Sequence, residues 1–144
     1  MPGNKSLLDA AKADMKASHA ILSLYDDDLS INLAAYHIQQ AVEKSLKFRI
    51  NMLGESFPQT HNIGHLIDVL EKLNETLPDW LLFEARRLTE FEAQSRYILD
   101  FLASKKEVLG LLTATEGLIA SFEPKSVSPE RVTCNNYVNN IKPI

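Results

Sequence analysis

Ala35-Tyr36-His37-Ile38-Gln39-Gln40-Ala41-Val42-Glu43-Lys44-Ser45-Leu46-Lys47 is the stretch whose periodicity decides the fold. At about 100° per residue, Ala34, Ile38, Ala41, Val42, Ser45 and Phe48 fall on one side of a helix. Tyr36, His37, Gln40, Glu43, Lys44 and Lys47 crowd onto the other, within roughly a third of the circumference. The first side is what a helical bundle core requires. The second mixes an aromatic ring, an imidazole, an amide and two ammonium groups, where a merely solvated face is plainer Glu, Lys and Arg. It is therefore the first place to look for function.

Outward from this helix, the rest of the chain reads as helical, with no strand of convincing period two. A first helix is expected over about Ser6 to Tyr25, striped by Leu8, Ala11, Met15 and Leu22. Asp26-Asp27-Asp28 is placed to meet the positive end of the second helix, expected from Ile31 to Leu53. After the loop chemistry of Gly54 to Thr60, a shorter helix starting near Thr60 or Asn62 carries Ile63, Leu66, Ile67 and Leu70. Thr76-Leu77-Pro78-Asp79 opens a fourth, with Leu81, Ala85, Leu88 and Phe91 as its core stripe. Its pattern falters around Arg96 to Asp100. Ser104-Lys105-Lys106-Glu107 is a capping box for the fifth, which runs to about Glu123. The fold class expected is all-α: an up-and-down bundle of four long helices and one short one over residues 1–123. An irregular, extended C-terminal tail over 124–144 completes the domain organisation.

The totals narrow the functional classes. The 144 residues suit one domain with a sizeable core, and 45% hydrophobic with 24% charged content is ordinary for a globular protein. Apolar stretches are broken by charge too often to span a bilayer, and the N-terminus lacks a secretory apolar region. Cys134 alone supports neither an internal disulfide nor a cysteine zinc site. No membrane association and a cytoplasmic location are the expectations. A net charge of −4 argues against binding duplex DNA. Lys125, Arg131 and Lys142 against Glu130 give the tail +2, leaving −6 on residues 1–123. Any anion site in the bundle must be a focused cluster.

Candidate site residues follow from side-chain chemistry. His37, Gln40 and Lys44, at i, i+3 and i+7, could hold a phosphate and read a base or ribose edge, flanked by Tyr36 and Lys47. The same groups could instead make interhelical or dimer hydrogen bonds. Glu43 reads as a structural ion-pair partner. His61, His65 and Asp68 would share a face if the third helix already included His61, but His61 is better placed at the helix boundary, where it can satisfy free amides. Without any Glu-x-x-His, a di-iron bundle is excluded, and no metal or other cofactor is expected. Arg96 and Tyr97 could reach an anion or a partner, or close the end of the bundle. Phosphate-loop, Ser/His/Asp and cysteine-nucleophile signatures do not occur.

The Ala35–Lys47 block, then Pro58-Gln59-Thr60-His61-Asn62-Ile63, then Arg96-Tyr97 with Asp100, resembles the HEPN domain, a helical bundle family, over roughly residues 6–122. The resemblance implies nucleotide binding, or pairing with a minimal nucleotidyltransferase in a toxin–antitoxin-like module, or metal-independent RNA cleavage. It also implies a homodimer. RNases of the family use an Arg followed after four to six residues by a His. Here the three permitted places after Arg96 hold Phe101, Leu102 and Ala103, and no other Arg has the required His. A phenylalanine or leucine cannot serve as an acid or base near neutrality. The expectation is a non-catalytic HEPN protein that binds a nucleotide or a nucleotidyltransferase partner through Tyr36, His37, Gln40, Lys44, Lys47, His61, Arg96 and Tyr97. One alternative is a dimeric interaction scaffold whose subunit seam is that same face. Another is a ribonuclease with a departed motif.

Overall fold

A computed structural model describes residues 5–94 and 103–124. These form five helices and, among the described residues, no strand: α1 (Lys5–Leu24), α2 (Asp28–Met52), α3 (Ile63–Lys72), α4 (Asp79–Gln94) and α5 (Lys105–Phe122). The all-α bundle is as expected. The suspected break near Arg96 and the tail beyond Pro124 lie outside the described residues.

Caps set the boundaries. Asp27, in extended backbone, accepts a hydrogen bond from the Ser30 amide, so α2 begins at Asp28, three residues before the expected Ile31. Asn62 caps α3 by accepting from the His65 amide, and Ser104 caps α5 by accepting from the Glu107 amide. The Glu107 carboxylate does not complete the capping box. It receives Arg87 of α4 at 2.7 and 2.9 Å instead. At its far end α2 closes with Gly54 in the left-handed region, the Gly54 amide donating to Asn51 and the Glu55 amide to Ile50. The end of α3 repeats this arrangement, with Asn74 as the left-handed residue. That turn delivers Glu75 to Arg49 of α2.

The second helix is the axis of the molecule and packs against all four others. Ala34, Ile38, Ala41, Val42, Ser45 and Phe48, its apolar side, are all buried. α1 lies antiparallel to it, with Ser18 donating to the Ala34 carbonyl across the seam. Asn32 near the start of α2 accepts from the Ala103 amide, just ahead of α5. At the other end Arg49 lies over the ring of Phe122. α5 therefore runs parallel to α2. No helix among the described residues is long and apolar enough to cross a membrane.

Candidate functional site

Because α2 is surrounded, its polar arc is not one open face. Its two edges meet different neighbours. His37 and Lys44, on one edge, meet α1: His37 Nδ1 lies 2.8 Å from Asp14 Oδ1, and Lys44 Nζ donates to Asp14 Oδ2 at 2.7 Å. Burial alone would push the Asp14 carboxyl up. Hydrogen bonds from His37 and Lys44 outweigh it and hold the carboxyl below its ordinary range. Tyr36 stands edge-on to the His37 ring, with centroids 5.8 Å apart.

The opposite edge meets the loop ahead of α3. There Glu43 accepts from Lys47 Nζ at 2.8 Å and from Gln39 Nε2 at 3.0 Å. His61 Nδ1 lies 3.1 and 3.2 Å from the two oxygens of the same carboxylate. Gln40 Nε2 donates to the side-chain oxygen Oε1 of Gln39, extending the chain of polar contacts toward the surface. Lys47 Nζ also sits 5.1 Å from the centre of the Phe57 ring. Here too burial raises the carboxyl while the hydrogen bonds, Lys47 first, bring it below its ordinary value.

Six of the eight residues expected at the site are thus gathered around α2: Tyr36, His37, Gln40, Lys44, Lys47 and His61. Arg96 and Tyr97 lie outside the described residues. Lys47, read from the sequence as a flank of a phosphate-holding face, is not open to a ligand. Its side chain is only 10% exposed, facing a Glu43 side chain that is 6% exposed, because the 54–62 loop closes over that edge with Phe57 against Lys47 and His61 against Glu43. Glu43 is the structural ion-pair partner expected of it. His61 is at the helix boundary as expected, yet it caps nothing: Asn62 supplies the cap, and the imidazole turns to Glu43. Since α3 starts at Ile63, His61 and His65 do not share a helical face. No group of three metal-ligating side chains occurs among the described residues.

Sequence reasoning missed two members of these networks, Asp14 and Gln39. Asp14 carried a readable signal, since it falls at helical spacing between Ala11 and Ser18, on the buried stripe of α1. Gln39 is fully buried with no distinguishing sequence feature.

What α2 leaves open is a strip between the two edges and toward its N-terminus. Leu29 and Leu33 are exposed there, continuing from Leu24 and Tyr25 at the α1–α2 turn. By helical phase they line up with Tyr36 and Gln40. The strip therefore starts apolar and ends polar.

The HEPN domain family model matches residues 5–124. Comparison with curated proteins and with solved structures returned no match. Since the family match takes in every helix of the bundle, the chain belongs to the HEPN domain family.

Proposed function

We propose that this HEPN protein is a binding module without ribonuclease activity, and that it docks a protein partner along the open strip of α2. A minimal nucleotidyltransferase is the partner that its family resemblance implies. One observation carries the reading: the strip presents exposed Leu29 and Leu33 to solvent, while the cations beside it already face carboxylates of the same chain. Apolar surface is what a protein interface buries. A free phosphate would have to displace Asp14 or Glu43 from Lys44 or Lys47 before gaining a charge-assisted contact. Two of the arginines are similarly engaged, Arg49 by Glu75 and Arg87 by Glu107, and no arginine has the family's following histidine.

Co-expression with a minimal nucleotidyltransferase, taken from a neighbouring reading frame where one encodes it, tests the reading. The two should co-elute, and Leu29→Asp/Leu33→Asp should abolish the complex while leaving the helical spectrum intact. Failure of the wild-type chain to form the complex, or its persistence in the double variant, would overturn the proposal. RNA incubated with the purified protein, with or without chelator, should stay intact. Cleavage that disappears in Arg96→Ala would contradict the non-nuclease part.

A second reading, nucleotide binding, is favoured by one observation. Lys44 keeps 30% of its side chain open beside a partly exposed His37, so that edge of the arc is accessible from solvent.

A further inference from the structure

Phe83 stands in solvent on the outer side of α4, 88% exposed, but the side of that helix turned to α5 is the more informative. Trp80, Glu84, Arg87 and Phe91 recur there at spacings of four, three and four. The two helices each pack on α2 rather than on one another, and the Arg87–Glu107 pair bridges them. At that bridge the Arg87 guanidinium also lies 5.1 Å from the centre of the Phe91 ring. An arginine is thus held between a carboxylate and an aromatic ring. About two turns nearer the N-terminus of α4, the groove widens into a hollow of about 460 Å³. Trp80 and Glu84 line it from α4, and Gly110, Leu111 and Ala114 from α5, with Lys106 beside Glu107. Here the ring and the carboxylate come again, one turn apart, but no cation among the described residues pairs with Glu84.

We propose that this hollow is a binding site for an arginine side chain carried on an extended segment of a partner protein. Glu84 is half-buried, and a carboxylate drawn from water without a cation is unfavourable. A guanidinium supplies the opposite charge and donates two parallel hydrogen bonds to it. The same planar group stacks on the indole of Trp80, which a lysine ammonium does not. On the opposite wall Gly110 carries no side chain and Ala114 only a methyl, and the space above Gly110 is open. A peptide backbone can therefore lie flat on α5 while one side chain reaches across to α4. The −6 carried by residues 1–123 draws a basic segment rather than an acidic one. Lys106, the one cation lining the hollow, lies about one and two turns from Gly110 and Ala114, which leaves the arginine the Trp80–Glu84 end. The α2 strip has no part in this contact, and the two proposals stand or fall separately.

Trp80 is the only tryptophan of the chain, so its emission reports on the site directly. Titration of the full chain with a blocked peptide of alternating alanine and arginine should give a saturable change in that emission, weaker as salt rises. The lysine counterpart should bind about tenfold less tightly, for want of the planar fork. Glu84→Gln should weaken binding of the arginine peptide about tenfold or more. Ala114→Leu, which fills the groove, should abolish it. Glu116→Gln removes the same charge from an exposed position of α5 outside the hollow and should leave binding unchanged. The helical spectrum checks that each variant is folded. No saturable change in the wild type, equal binding of the lysine peptide, or binding indifferent to Glu84→Gln would each overturn the proposal. So would free arginine that binds as tightly as the peptide, or an affinity that rises several-fold in Arg96→Ala or Arg131→Ala. The occupant would then be a small molecule or an arginine of the chain itself.

Discussion

Lys44 and Lys47 leave the same helix less than one turn apart, each paired with one carboxylate, yet they occupy different surroundings. Lys47 lies under the 54–62 loop, bound to a Glu43 that also serves Gln39 and His61. Lys44 shares Asp14 with His37 across the α1–α2 seam and keeps a solvent-facing side. The two belong to one polar arc and share a residue type. What separates them is the element that closes over each edge. A polar arc on a central helix is therefore not a surface until its neighbours are placed, and the free face of α2 turns out to lie nearer its N-terminus, around Leu29 and Leu33.

The contrast is open to direct attack by chemical denaturation, starting with the largest expected effect. Lys47→Ala should destabilise the fold by about 3 kcal/mol, because it leaves a buried carboxylate short of its cation. That matches the roughly 3 kcal/mol expected for Ile38→Ala in the core. A loss below about 1 kcal/mol for Lys47→Ala would mean that Glu43 has no need of it.

Acid provides the second test. Asp14 and Glu43 are both held below their ordinary values of 3.8 and 4.5 in the folded protein. Each therefore contributes stability that is present above its ordinary value and lost as the pH falls through its lower, folded value. Stability should drop as the pH passes below about 4. Asp14→Asn and Glu43→Gln should each flatten that acid limb, and an unchanged limb in both would disprove the assignment.

At the small end, Lys44→Ala should cost about 1 kcal/mol, a part-exposed pair with His37 left to Asp14. Leu29→Ser should change stability by less than about 0.5 kcal/mol, being free surface. Equal losses for Lys44→Ala and Lys47→Ala would erase the distinction between the two edges.

Much of the bundle was legible along the chain because each helix repeats its apolar side at the helical period and ends on recognisable caps. Asp27, Ser104 and Gly54 perform the roles their residue types suggest. The start of α2 was less clear because Leu29 and Leu33 are apolar yet point away from the core, which hides the first turn from a search for a buried stripe. The polar arc was legible as a spacing. Its partners were not, since Asp14 lies 23 residues before His37 and His61 lies 18 after Glu43. No local pattern specifies which acid on one helix will meet which base on another. Phe83 shows the same limit from outside: only the packed bundle reveals that this aromatic has no core to enter.

On the proposed reading, the cations of α2 are committed within the protomer and the helix works by docking a protein. Titration of the isotopically labelled full chain with ATP, followed residue by residue through amide chemical shifts at fixed salt, tests it most directly. No saturating shifts are expected at Tyr36, His37, Gln40 or Lys44 in the sub-millimolar range. Saturating shifts at those four residues, lost in Lys44→Ala, would contradict it and make the polar arc a nucleotide site.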